Sequence, residues 1–165
     1  MTSAKVARLP IGGAGKSSPP GARRLRTGDV MRAPAKMVAP ETPLAAAATL
    51  LASTGCSGVP VVDAEGHIVG LVTDADLVGH QLRSAFGPAP GGEEPVVGDV
   101  MSSEPLLAPS LYDLGALVGL MNAAGVSVVP IVDGSALVGT VDMRDLVRIV
   151  GASNTRIPVS RHASG

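Results

Sequence analysis

Val69-Gly70-Leu71-Val72-Thr73-Asp74-Ala75-Asp76-Leu77 returns 69 residues later as Val138-Gly139-Thr140-Val141-Asp142-Met143-Arg144-Asp145-Leu146. Working outward from this pair, Val59-Pro60-Val61-Val62-Asp63 meets Val129-Pro130-Ile131-Val132-Asp133 at an offset of 70. Gly28-Asp29-Val30-Met31 meets Gly98-Asp99-Val100-Met101 at the same offset. Two units of this length are too few and too long for a solenoid. They read as a tandem pair related by a pseudo-twofold, with a cleft between them where a ligand could sit. A binding module is the first expectation, ahead of an enzyme.

Each copy parses the same way. In the first, Lys36–Ala39 reads as a short extended leading strand. Thr42-Pro43 then opens a helix, Thr as N-cap and Pro at the first helical position. Leu44, Ala47, Ala48 and Leu51 give that helix an apolar face, and Gly55 ends it in the left-handed conformation. Two strands rich in Val and Ile follow, 57–63 and 67–73, joined by the tight turn Asp63-Ala64-Glu65-Gly66. A closing helix runs from Ala75 to about Phe86. In the second copy Ser110 is the expected N-cap, with Asp113 completing a capping box. Leu111, Leu114, Leu117, Val118 and Met121 form its buried stripe, and Gly125 its stop. Strands 127–133 and 136–141 meet at Asp133-Gly134, a shorter hairpin that accounts for the lost residue.

The composition suits a compact domain of 165 residues. Apolar residues make up 45% and aromatics 1%, so the core is aliphatic. Tyr112 and Phe86 alone cannot build the stacking platform of a single-strand nucleic-acid binder. Cys56 is the lone cysteine, which excludes an intramolecular disulfide and a thiolate metal cluster. His67, His80 and His162 lack the paired spacing of a metal site, and no convergent pair of acids suggests acid–base catalysis. The longest apolar run, 44–52, is far short of the roughly 18 residues of a membrane span. With no signal peptide visible, a cytoplasmic location and no membrane partner are expected.

Charge separates tail from core. Six of the 13 basic residues (Lys5, Arg8, Lys16, Arg23, Arg24, Arg26) precede the first acid, Asp29, leaving seven basic against 14 acidic residues, or −7. Residues 1–26 read as a disordered basic tail because Gly12-Gly13 and Pro19-Pro20-Gly21 oppose a persistent helix. A transit peptide or a loose tether to a polyanion is the alternative. Gly15-Lys16-Ser17 is no P-loop, since Pro10 stands where the first Gly belongs. The expected organisation is repeat one over 27–86, a Gly/Pro-rich linker over 87–95, repeat two over 96–151 and a flexible tail over 152–165.

The order of elements, the Val-Pro-Val-Val-Asp strand and the Gly-Leu-Val-Thr-Asp-Ala-Asp-Leu ending resemble the cystathionine beta-synthase (CBS) domain. The resemblance covers about residues 28–150, in both copies at matched offsets. It implies an α/β fold of two pseudo-symmetric CBS repeats, strand-helix-strand-strand-helix each, packed around a cleft. It implies a regulatory sensor of an adenosyl ligand with no chemistry of its own. In that family adenine lies in an apolar slot, and ribose and phosphate meet a Gly-x-x-Thr/Ser-x-x-Asp motif at the last strand-to-helix junction.

That motif also has a physical reading. The free N–H groups at the start of the closing helix attract phosphate; Thr73 adds a hydroxyl donor, and Asp76 can accept from ribose hydroxyls. Thr73-x-x-Asp76 is equally a plain capping box, and Asp142-x-x-Asp145 a plain Asp-capped helix start. In the second copy Asp142 puts a carboxylate where phosphate charge would lie, offset by Arg144, which resembles a phosphate-contacting position in relatives. The first copy gains Arg32 and Lys36, whose counterparts are Ser102 and Leu106. One competent site is therefore expected, built on Thr73 and Asp76, with Arg144 reaching across the pseudo-twofold and Asp145 marking a degenerate second site. Pro60 removes a ladder donor, and the gap would leave room for adenine beside Val59 and Pro60. Cys56, just ahead of that strand, reads as a small packed residue or, alternatively, a redox sensor.

The leading function is binding AMP, ADP or ATP, with S-adenosylmethionine or NAD behind them, and signalling to an unidentified effector protein. A homodimer is expected. The alternative is a structural dimerisation module with vestigial sites. A nucleic-acid role for the basic tail is opposed by the −7 core.

Overall fold

The computed structural model describes residues 7–8, 24–86 and 93–154. Most of the N-terminal tail, the linker residues 87–92 and the C-terminal residues beyond 154, His162 among them, lie outside the described residues. Within the tail, strand β1 (Ala7–Arg8) pairs in parallel with Leu106 and Leu107.

After a single helical turn, α1 (Thr27–Val30), the first repeat builds helix α2 (Leu44–Thr54), strands β2 (Gly58–Val62) and β3 (Ile68–Thr73), and helix α3 (Asp74–Phe86). The second repeat opens with a 3-10 turn (Val97–Asp99). It continues with strand β4 (Leu106–Pro109), helix α4 (Leu114–Ala124), strands β5 (Val128–Asp133) and β6 (Ala136–Asp142), and helix α5 (Met143–Asn154). In each repeat the two long strands form an antiparallel hairpin, and the leading segment lies parallel on its outer edge. That segment is β4 against β5 in the second repeat and a single pair, Val38 with Val61, in the first.

The stops are as expected: Gly55 and Gly125 close α2 and α4 at φ 63° and 66°, left-handed values that glycine adopts without strain. The starts differ. Thr42 Oγ1 accepts from Ala39 N–H at 3.1 Å, tightening the preceding turn, while Pro43 stands at the N-cap of α2. Ser110 Oγ donates to Asp133 Oδ1 at 2.6 Å, and Asp113 is the true cap of α4, accepting from Ala116 N–H at 2.9 Å. Starting α4 three residues later turns Leu111 out to solvent, 63% exposed, so it leaves the buried stripe that Leu117 and Met121 form.

The repeated Gly-Asp-Val-Met segments explain how the halves join. Each lies on the other repeat. Gly28 N–H donates to Ser110 O, and Gly98 N–H donates to Pro40 O, both at 2.8 Å. Asp29 and Asp99 fold their turns by accepting from Arg26 N–H and Val96 N–H. Val30 and Met31 then pack into the core of the second repeat, while Val97, Val100 and Met101 pack into that of the first. Arg32 pairs with Thr140 at the outer edge of β6, and Ser102 pairs with Leu71 at the outer edge of β3. Gly70 and Gly139 make room for this crossing. A Cβ on Gly70 would stand 2.6 Å from Met101 Sδ, and one on Gly139 would stand 2.7 Å from Met31 Sδ.

Candidate functional site

The crossover decides which residues share a cleft. Arg32 and Lys36 belong to the first repeat, yet the segment carrying them leaves the edge of β6 and runs to the edge of β2. It therefore faces the closing motif of the second repeat. Between these elements lies a cavity of about 240 Å3, its lining including Arg32, Lys36, Cys56, Gly58, Val59 and Thr140.

Pro60 helps to open it. Val38 N–H donates to Pro60 O, and Val62 N–H donates to Val38 O, the rungs of a parallel ladder. The next rung toward Lys36 would need an N–H from Pro60, which proline lacks. The ladder stops there, and the cavity begins beside Lys36, Gly58 and Val59. Pro60 itself is buried between its neighbouring strands, acting on the cavity through this missing donor rather than as a wall.

An ion pair between Arg32 and Asp145 crosses this cleft. Arg32 Nε donates to Asp145 Oδ2 at 2.5 Å and Nη2 donates to Asp145 Oδ1 at 2.6 Å, a two-pronged pair in which Asp145 is 15% exposed. The remaining Arg32 nitrogen, Nη1, donates to Thr54 O at 2.8 Å and to Cys56 Sγ at 3.4 Å. The bond to Asp145, against a smaller opposing effect of burial, raises the guanidinium pKa above its ordinary value, so Arg32 stays charged. Arg148 Nη1 adds a further bond to Asp145 Oδ1 at 3.2 Å.

Asp142 does not present its charge to the cavity. It is 1% exposed, accepting from Ser57 N–H at 2.6 Å, Ser57 Oγ at 3.1 Å and Arg144 N–H at 2.9 Å. It ties the start of β2 to the start of α5, a cross-repeat clamp in place of the Thr found in the first copy.

Thr73 and Asp76 lie at the related junction on the other side of the pseudo-twofold, apart from Arg32 and Lys36, which the sequence grouped with them. They close on each other. Thr73 N–H and Thr73 Oγ1 both donate to Asp76 Oδ2, at 2.8 and 2.7 Å, and Asp76 N–H returns a bond to Thr73 Oγ1 at 3.3 Å. This is the capping-box geometry. Arg144 does reach across the pseudo-twofold, but to Asp74 Oδ2 at 3.0 Å. Of the residues singled out on sequence, Lys36, Val59 and Asp145 gather at one cleft with Arg32, whereas Thr73 and Asp76 stand at the other. The Gly-Asp-Val-Met duplication marks the segments that carry this regrouping, but that each packs against the other repeat's core emerges only in the fold. Thr140 and Ser57 carried no comparable signal. Among the described residues, no group of three or more His, Cys, Asp or Glu is placed to hold a metal, and no helix is long and apolar enough to cross a membrane.

A family model described as CBS domain matches residues 28–83 and 97–152. Inosine-5'-monophosphate dehydrogenase of Thermoplasma acidophilum is 31% identical over 111 residues, covering 67% of this chain and 20% of the relative. The chain thus spans about a fifth of the length of that enzyme. Among solved structures, CBSX2 in complex with AMP is 27% identical with a TM-score of 0.63, covering 78% of this chain and 98% of the other. A CBS domain pair in complex with 5'-methylthioadenosine and S-adenosyl-L-methionine has a TM-score of 0.70. It covers 79% of this chain and 99% of the other, and at 20% identity it shows the fold alone.

Proposed function

The chain belongs to the CBS domain family as a tandem pair, and from that premise we propose that it is a non-catalytic regulatory module that binds an adenosyl ligand. The observation that carries this reading is the cavity between the repeats. Apolar Val59 lines it, Arg32 and Lys36 supply positive charge, and Asp145 stands where the family motif places its ribose-accepting carboxylate. The AMP complex of a relative of comparable length supports an adenine nucleotide as the first choice. Binding would act on signalling by separating or drawing together the two repeats, because Arg32 on the cavity wall is bonded both to Thr54 of the first repeat and to Asp145 of the second. A ligand shifts such an equilibrium only through its different affinity for the two states. The output would go to an effector protein that binds one of those states.

The second reading, a structural dimerisation module, is favoured by a specific observation: Thr73 with Asp76, and Arg32 with Asp145, already satisfy one another. Thermal melting of the protein with AMP, ADP, ATP, S-adenosylmethionine and NAD separates the two. Adenosyl sensing predicts stabilisation of about 2.7 kcal/mol at 100 times the dissociation constant. A flat response across all five at millimolar concentration would leave the dimerisation module standing.

A further inference from the structure

We propose that Arg32 is a latch on the cleft, exchanging Asp145 for a ligand phosphate, and that it thereby makes the site select phosphorylated adenosines over uncharged ones. This rests on the adenosyl reading above, and adds to it the residue that sets specificity.

The argument begins with occupancy. A carboxylate offers about four acceptor positions on two oxygens. On Asp145, Arg32 takes both oxygens in a fork, and Arg148 adds a bond to Oδ1. A ribose diol arriving at Asp145 meets a carboxylate whose oxygens are already engaged, so Arg32 must withdraw for the pair of hydroxyls to bind. The cavity agrees with a closed latch: about 240 Å3 lies below the roughly 300–1,000 Å3 of ordinary small-molecule pockets, and the Arg32 side chain forms one wall.

Withdrawal has unequal consequences for different ligands. An uncharged nucleoside takes Asp145 and leaves the guanidinium without its anion in a partly buried place, 33% exposed. A nucleoside phosphate takes Asp145 with its hydroxyls and gives Arg32 a new anion, with Lys36 on the same cavity wall. Guanidinium binds phosphate by the same two-pronged geometry with which it now binds the carboxylate. The exchange conserves the number of charge-assisted bonds for the phosphate ligand and loses them for the other. The cost of one such unsatisfied partner corresponds to about tenfold or more in affinity. At the other junction Ser102 and Leu106 occupy the positions of Arg32 and Lys36, and the arginine that reaches it, Arg144, pairs with Asp74 and not with Asp76.

Isothermal titration calorimetry of AMP and adenosine into the full chain and into Arg32→Gln tests the latch. Arg32→Lys, which keeps the charge but not the fork, serves as the second variant, and far-UV circular dichroism verifies folding of both. The expected result is a preference for AMP of about tenfold or more in the wild type. In Arg32→Gln, adenosine should bind more tightly than to the wild type and AMP more weakly, with Arg32→Lys between. Loss of AMP affinity with no gain for adenosine would make Arg32 a simple phosphate ligand and overturn the latch. Unchanged affinities for both ligands in both variants would also overturn it while leaving adenosyl binding intact. No heat from either ligand with the wild type would overturn the adenosyl reading and the latch with it.

Discussion

Asp142 shows how one side chain can depart from a family pattern and become structural. On sequence it looked like a misplaced negative charge in a phosphate site. In the fold it is turned inward, and its oxygens collect the Ser57 N–H, the Ser57 hydroxyl and the Arg144 N–H. Restoring the family threonine would therefore do harm: Asp142→Thr puts one neutral hydroxyl where two carboxylate oxygens now serve three donors, and the charge-assisted bonding lost costs about 1–3 kcal/mol. Urea denaturation should show this loss, and a variant as stable as the wild type would mean the clamp contributes nothing. Thr73 belongs to the same scale. Its bonds with Asp76 cap α3, so Thr73→Ala should lower stability by about 1 kcal/mol in the same measurement. What the sequence could not tell at this scale was direction. Thr42 and Ser110 are good capping residues by type, yet each serves a neighbouring turn or loop, because their hydroxyls found a nearer partner.

At the scale of elements, the crossing of the Gly-Asp-Val-Met segments ties each repeat to the other. Met31 packs against the second core and Met101 against the first, each partly buried, so each contributes the lower part of the about 1.5–3 kcal/mol that full burial of such a side chain is worth. Met31→Ala should therefore destabilise by about 2 kcal/mol. Its effect on native-state hydrogen exchange should appear first in β5 and β6 of the other repeat. Faster exchange confined to β2 and β3 would contradict the crossing. Gly70→Ala presses a methyl group against Met101 Sδ at 2.6 Å and Ser102 O at 2.8 Å, an overpacking worth about 1–3 kcal/mol. The elements themselves were legible from period and punctuation: Gly55, Gly125 and Gly134 all take positive φ where the pattern placed a stop or a turn. The grouping of Arg32 and Lys36 with Asp145 was not legible from spacing within a repeat, because it depends on a contact between residues 113 positions apart.

For the whole molecule, the two helices that close the repeats leave matched apolar residues in solvent. Val78 on α3 and Val147 on α5 are 58% and 65% exposed, and Leu82 and Val150 continue the two faces at 55% and 69%. Such faces suit a closed twofold between copies of the chain. Light scattering at tens of micromolar should give a dimer, and Val147→Glu should shift it toward monomer; a wild-type monomer would remove the dimer from the account. The cleft is also a property of the whole molecule, since its walls come from both repeats. Hydrogen exchange of the protein saturated with AMP against the free protein tests this most directly. The account predicts slowed exchange in three separated stretches at once, around Arg32 to Val38, Cys56 to Pro60 and Gly139 to Asp145. No protection, or protection confined to the stretches of a single repeat, would contradict a nucleotide site built between them.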